Sequence, residues 1–198
     1  MENKEPLDMV DLLDEEIAQQ ILKATNQDQQ SQMFAVLVER YQSKMQNYGR
    51  RLLFDHSDIE DVVQEIFLKA YVNFRSYDPT RKFSTWLYRI AHNEFINHGK
   101  KFSRQIVDYF DLEVVFPWFK SSQNVESDFD QQELLESLEQ YIEKLDFKYR
   151  EPLLLSVQEQ LSYQEISDVL RIPVSTVGVR INRARTILKK QIMKLKTN

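Results

Sequence analysis

The sequence predicts an all-α chain of two small helical modules joined by a flexible linker, on three observations. Apolar residues recur at intervals of three and four through most of the chain, the spacing of a single helix face. Serine followed three residues later by glutamate, at Ser57 with Glu60 and at Ser162 with Glu165, gives two reciprocal helix-start signals ahead of such runs. Charge falls in blocks, acidic segments alternating with a mildly basic body and a strongly basic tail, which suggests two modules.

The elements follow in order. Leu13, Ile17 and Ile21 form a weak amphipathic segment expected to pack on what comes next. Phe34, Leu37, Val38, Tyr41, Met45, Tyr48 and Leu52 mark a long amphipathic helix. After the Ser57 start signal, Ile59, Val62, Val63, Ile66, Phe67, Ala70 and Phe74 mark a second helix, which Asp78 and Pro79 break. A short basic loop with Arg81 and Lys82 leads to a third helix, opened by Phe83, Leu87, Ile90 and Ala91 and running to about Lys101. This first module spans residues 12–103. Residues 104–130 lose the periodicity, carry Pro117 among Phe116, Trp118 and Phe119, and become polar and acidic from Ser121 to Asp130, the pattern of a tether with an aromatic anchor.

The second module, residues 131–196, resumes helical spacing at Leu134, Leu135, Leu138, Tyr141, Ile142 and Leu145, with Pro152 expected in the first turn of the next helix. Ile166, Val169 and Leu170 follow the Ser162 start signal, Arg171-Ile172-Pro173 interrupts, and Val174 opens a last, basic helix. Helix, tight break, basic helix is the pattern of a helix-turn-helix.

Composition narrows the function. Twenty-six Lys and Arg against 31 Asp and Glu leave a net charge of −5, so nucleic-acid affinity must be local. It is concentrated: residues 174–198 hold seven bases and no acid, whereas residues 104–139 hold nine acids and two bases. The absence of cysteine removes disulfides, thiol nucleophiles and cysteine-bearing zinc sites, and fits a reducing compartment. Scattered glycines exclude phosphate-binding loops. No run approaches the roughly 18 apolar residues of a membrane span, and the acidic N-terminus is unlike a secretory signal, so a cytoplasmic protein without membrane insertion is expected. His56, His92 and His98 lack metal-ligand spacing. No catalytic residues, metal or cofactor are therefore expected.

Three surfaces remain. On the last helix, Val177, Ile181, Ala184 and Leu188 share one arc, which leaves Val179, Asn182, Arg183 and Thr186 on the other, with Ser175 and Thr176 at the N-terminus where free N–H groups suit phosphate oxygens. Asn and Arg on such an arc suit adenine and guanine edges in the major groove. On the helix after Ser57, Asp61, Gln64, Glu65 and Leu68 lie opposite the apolar stripe, either as a solvated face or as a docking surface. Between Tyr77 and Lys101, cations interleave with aromatic rings, a mixture that suits unpaired DNA; core packing competes for the rings, Phe83 and Trp86 above all.

Together these segments resemble a bacterial RNA polymerase sigma factor of the extracytoplasmic-function (ECF) group. Asp58-Ile59-Glu60-Asp61-Val62-Val63-Gln64-Glu65-Ile66-Phe67 is similar to the region 2 helix that grips the polymerase clamp, and Phe83-Ser84-Thr85-Trp86-Leu87-Tyr88-Arg89-Ile90-Ala91 to the promoter-melting helix. Tyr163-Gln164-Glu165-Ile166, Ile172 to Val177 and Arg180 to Arg185 resemble region 4. The resemblance implies polymerase contacts at Asp58, Asp61, Gln64, Glu65 and Leu68. It implies −10 contacts at Tyr77, Arg81, Lys82, Tyr88, Arg89, His92, Asn93, Lys100 and Lys101, and −35 contacts at Ser175, Thr176, Val179, Arg180, Asn182 and Arg183. Gly178 and Val179 stand where many relatives carry Lys or Arg followed by Ser, and Arg171 replaces the glycine common in the turn. Core RNA polymerase and promoter DNA are the implied partners, with an anti-sigma factor as a family expectation. Two other classes stay open on the residues themselves: a helix-turn-helix regulator acting without polymerase, and a metal-dependent enzyme built on the acids from Asp58 to Glu65.

Overall fold

The computed structural model describes residues 12–52, 58–102 and 140–195, with side chains given up to Gly99 in the second stretch and Lys194 in the third. All regular elements among these residues are helical: α1 (Asp14–Lys23), α2 (Gln27–Leu52), α3 (Ile59–Val72), a 3-10 turn (Phe74–Ser76), α4 (Phe83–Phe102), α5 (Phe147–Val157), α6 (Tyr163–Leu170) and α7 (Val174–Leu195). Ser57, the aromatic tether and Leu134, Leu135 and Leu138 lie outside the described residues.

Helix α1 is held by its polar face as well as its apolar one. Ile17, Ala18 and Ile21 are buried, while Leu13 is exposed. Arg40 Nη1 donates to Asp14 Oδ1 at 2.6 Å and to the Leu12 carbonyl at 2.8 Å, and the Tyr41 hydroxyl donates to Asp14 Oδ2 at 2.5 Å. The Glu15 carboxylate accepts from the Phe83 N–H at 3.0 Å, placing an anion at the N-terminus of α4, where the helix dipole favours it.

The apolar stripes of α2 and α3 are buried as their spacing predicts, from Phe34 to Leu52 and from Ile59 to Ala70, apart from Val38, which is half-buried. α3 starts from Asp58 and ends at Val72, so Phe74 belongs to the following 3-10 turn and the chain has left the α-helix before Asp78 and Pro79. Phe74 is buried nonetheless, because the turn points it into a cluster of rings. It meets Phe34 at 5.8 Å and Trp86 at 5.7 Å between ring centroids, both edge-on, the arrangement that ring quadrupoles favour. Tyr48 forms a second cluster with Tyr88 at 5.2 Å and Phe95 at 5.7 Å.

Helix α5 starts earlier than Pro152 suggests. Asp146 caps it, its side chain accepting from the Lys148 N–H, so Pro152 lies inside the helix rather than in its first turn. The Ser162 start signal is realised in both directions: the Glu165 N–H donates to Ser162 Oγ at 3.3 Å, and the Ser162 N–H donates to Glu165 Oε2 at 2.7 Å. The break before α7 uses Arg171 at φ 54° and ψ 43°. A non-glycine residue there costs on the order of 1 kcal/mol, and the Ser167 hydroxyl donating to the Ile172 carbonyl at 2.6 Å holds the turn in place. Ile166, Val169, Val177, Ile181 and Ala184 fill the space between α6 and α7.

The two modules meet. Tyr48 and His92 of the first module reach Glu151 of α5 at 2.7 and 2.6 Å, and Arg150 Nη2 donates to the Leu52 carbonyl at 3.1 Å. Glu151 and Arg150 are each 3% exposed, so this junction is buried, and the hydrogen bonds to both side chains are what make its burial tolerable.

Candidate polymerase and nucleic-acid interfaces

Burying Val62, Val63, Ile66, Phe67 and Ala70 turns the remaining face of α3 outward. Asp61, Gln64, Glu65 and Leu68 are all exposed along one ridge, Leu68 to 65%. The ridge continues to Val72, 78% exposed, which the sequence reading passed over although it stands four residues beyond Leu68. Two exposed aliphatic side chains flanked by acids form a surface suited to a protein partner. Lys69 braces it, bonding Glu65 at 2.8 Å and also Glu94 of α4; these hydrogen bonds, Glu65 first, hold the Lys69 ammonium above its ordinary pKa. Asp58 stands off the ridge, with Oδ2 3.5 Å from His98 Nε2 of α4.

On α7 the expected division of faces holds. Val177, Ile181, Ala184 and Leu188 are buried, while Ser175, Val179, Asn182, Arg183 and Thr186 are exposed, Val179 to 59%. Thr176 and Arg180 are half-buried at the edge of that face. The Thr186 hydroxyl turns back to the Asn182 carbonyl at 2.9 Å, leaving the Asn182 side chain as the amide presented outward.

The residues from Tyr77 to Asn93 divide differently from the expectation. Tyr77 and Tyr88 are core rings, 3% and 1% exposed, because both belong to the ring clusters of the first module. They support the surface and do not form it. Phe83 and Trp86 are buried too. His92 is half-buried and engaged by Glu151, and Asn93 is half-buried beside it in α4. The side chains of Lys100 and Lys101 lie outside the described residues. Arg81 and Lys82 are exposed, and Arg89 is half-buried.

These positions surround a cleft of about 290 Å³, lined by Ser76, Tyr77, Asp78, Arg81, Thr85, Trp86, Arg89 and, from the second module, Asp168. Thr85 Oγ1 is buried against it without a hydrogen-bond partner among the described residues. Asp78 shapes its rim: its carboxylate accepts from the Thr80 hydroxyl at 2.7 Å and the Thr80 N–H at 3.0 Å, bonds that hold the Asp78 carboxyl below the usual carboxylate range. Burial pushes the Tyr77 hydroxyl up to about 12, helped by Glu15, Asp78 and Asp14, so the ring meets the cleft neutral. Among the described residues no group of His, Asp and Glu side chains is arranged to hold a metal ion, and no helix is long and apolar enough to cross a membrane.

Comparison with known proteins identifies the family of both modules. The family model for sigma-70 region 2 matches residues 37–105, and that for sigma-70 region 4 matches residues 135–188. The chain is 40% identical over 170 residues to the ECF RNA polymerase sigma factor SigW of Bacillus subtilis, covering 82% of this chain and 90% of that protein. It is 33% identical over 189 residues to the ECF RNA polymerase sigma-E factor of Escherichia coli, covering 92% and 98%. Among solved structures it is similar to CnrH in complex with the cytosolic domain of CnrY, with a TM-score of 0.64, 26% identity and coverage of 91% and 97%. With both regions matched and full-length relatives this similar, the chain belongs to the ECF group of the sigma-70 family, the factors that bind core RNA polymerase and direct initiation at promoters.

Proposed function

We propose a division of this activity among the three surfaces. Asp61, Gln64, Glu65 and Leu68, extended by Val72, dock on core polymerase. Ser175, Thr176, Val179, Arg180, Asn182 and Arg183 read the −35 duplex, with hydroxyls and helix N–H groups on phosphates and the amide and guanidinium on base edges. Arg81, Lys82 and Arg89, around the cleft lined by Thr85 and Trp86, take the −10 strand as it leaves the duplex. The observation that carries this reading is the two-sidedness of α3 and α7: each buries an apolar arc and exposes on the other a distinct set of side chains, acids with Leu68 and Val72 on α3 and Val179, Asn182 and Arg183 with no acid on α7.

The module bounds follow: residues 12–103 for polymerase and the −10 region, 131–196 for the −35 region, and 104–130 as the tether. The chain contributes specificity and no catalytic group of its own, and it acts where polymerase and chromosome are, in the cytoplasm. An anti-sigma protein joins its partners as a family expectation, and CnrH, to which the chain is similar, is solved in complex with the cytosolic domain of CnrY.

Runoff transcription with purified core polymerase on genomic promoter fragments tests the division. Asp61→Ala is expected to abolish transcripts by weakening assembly with core. Arg183→Ala is expected to leave assembly intact and lose promoter selection, by about 1 to 3 kcal/mol of discrimination at the base it contacts. Equal loss of assembly in both variants would break the assignment. The same assay separates a regulator independent of polymerase, since such a protein would not associate with core.

A further inference from the structure

Helix α4 begins without a cap of its own. Lys82 is the residue before its first turn, and a lysine side chain has no oxygen to accept from the free N–H groups there. The acceptor comes from another helix: Glu15 of α1, 68 residues earlier, takes the Phe83 N–H at 3.0 Å. One residue before Lys82 the chain is tied down again, the Tyr77 hydroxyl donating to the Arg81 carbonyl at 2.5 Å. Two hydrogen bonds to the backbone therefore bracket Lys82, while the side chains of Arg81 and Lys82 stay exposed.

Both brackets stand on fixed ground. With ten residues, α1 is too short to hold its shape alone, and α2 holds it at both ends. Asp14 takes the Arg40 guanidinium and the Tyr41 hydroxyl at one end, and Gln30 Nε2 donates to the Ala24 carbonyl at 2.8 Å at the other. Between them Ile17, Ala18 and Ile21 are buried. Below the loop, the Phe83 ring is 1% exposed and lies 5.5 Å from Tyr41 and 5.8 Å from Tyr77 between centroids, both edge-on. Burial, then the charges of Glu15, Asp78 and Asp14, keep the Tyr77 hydroxyl protonated up to about 12, so it remains a donor at neutral pH.

We propose that Glu15 and Tyr77 are positioning residues for the −10 contact: α1 supplies the cap that α4 lacks, which frees the N-cap position to carry a cation, and with Tyr77 it sets where Arg81 and Lys82 stand. The proposal rests on the −10 reading above. It gives α1 a part in promoter selection without any DNA contact of its own. Loss of either bracket lets the loop backbone take other conformations, and the population that presents both cations together falls.

The full chain assembled with core polymerase tests this, on a promoter fragment chosen in the runoff assay with its −10 segment held open as an unpaired bubble. Glu15→Ala and Tyr77→Phe are each expected to weaken retention of the fragment by up to about tenfold, the weight of one hydrogen bond on the loop population. Each should also narrow the preference for the original −10 bases over substituted ones, with assembly on core and dependence on the −35 element as in the native chain. Glu15→Gln keeps an oxygen for the Phe83 N–H and should recover most of the loss, which separates a cap from a charge. Gly49→Ala loosens the same module away from the loop and should leave the −10 preference intact. Amide hydrogen exchange on the full chain reads the geometry itself: the Phe83 amide should be protected in the native chain and in Glu15→Gln, and exchange freely in Glu15→Ala. Free exchange at Phe83 in the native chain overturns the cap. Unchanged retention in Glu15→Ala and Tyr77→Phe overturns the positioning role, as does a preference narrowed equally by Gly49→Ala. Retention left unchanged by Arg81→Ala with Lys82→Ala would instead sink the −10 reading itself.

Discussion

The first module's buried core mixes many rings with its aliphatics, whereas the buried core of the second is aliphatic. Phe34, Tyr41, Phe74, Tyr77, Phe83 and Trp86 form one continuous ring cluster, whereas Leu155, Ile166, Val169, Val177 and Ile181 contain none. The difference follows from where each module presents its working groups. The first offers Arg81 and Lys82 from a loop, beside groups on α3 and α4, and a loop needs rigid support beneath it; Tyr77 supplies that, its ring in the cluster and its hydroxyl donating to the Arg81 carbonyl at 2.5 Å. The second offers its groups from a long helix that holds its own shape, so a narrow aliphatic arc suffices.

Tyrosine in the core makes the first module sensitive to alkali, and the widest separation between the modules is expected there. Burial raises the hydroxyls of Tyr41, Tyr48, Tyr77 and Tyr88 above their ordinary 10.0, Tyr77 to about 12. The folded state therefore keeps protons that the unfolded chain gives up. The stability this represents is intact below pH 10 and is lost as the pH climbs through the folded values. Tyrosinate absorbance should rise cooperatively with loss of the first module's helices. A gradual rise near pH 10 with helicity intact would mean that the ring core is open to solvent.

The same contrast explains what was legible in the sequence. Helix faces were readable wherever burial follows a local period: the stripe from Phe34 to Leu52, the outward residues Asp61 to Leu68, and the arc Val177 to Leu188 all stand where their spacing puts them. Rings were harder, because a tyrosine has an apolar body and a polar tip; Tyr77 and Tyr88 read as stacking platforms and are core. The junction was not legible at all. Tyr48 and Glu151 are 103 residues apart, and nothing in the neighbourhood of His92 or Glu151 signals that a buried pair forms between them. Pro152 misled for a related reason, since the capping signal that starts α5 is Asp146 and the proline is accommodated further in.

Glycine sharpens the comparison at the scale of one methyl group. Gly49 in α2 faces the Phe95 ring, and a Cβ there would stand 2.6 Å from Cε1 and Cζ. Phe95 is 1% exposed and packed edge-on against Tyr48, so it cannot retreat. Gly49→Ala is expected to destabilise the first module by about 1 to 3 kcal/mol, the usual cost of overpacking, read as a lower urea midpoint with the slope unchanged. A neutral outcome would mean that the rings yield, and the first module's core would then be no stiffer than the second's.

Gly178 in α7 is the opposite case and the smallest effect. Its nearest neighbour is Tyr163, and a Cβ would stand 3.5 Å from Cε2, an ordinary contact with a ring that is 37% exposed. No left-handed backbone requires the glycine either, since positive φ among non-glycine positions falls at Gln160 and Arg171 and no described glycine has one. Inside a helix the glycine therefore only adds flexibility to the unfolded chain, and Gly178→Ala should stabilise the second module by about 0.5 to 1 kcal/mol in thermal unfolding. Val179 and Asn182 stay exposed in that variant, so promoter selection in the runoff assay should be unchanged. If selection falls while stability rises, the glycine is there to let a DNA backbone come close to α7, and the narrow aliphatic arc is only half of what shapes that helix.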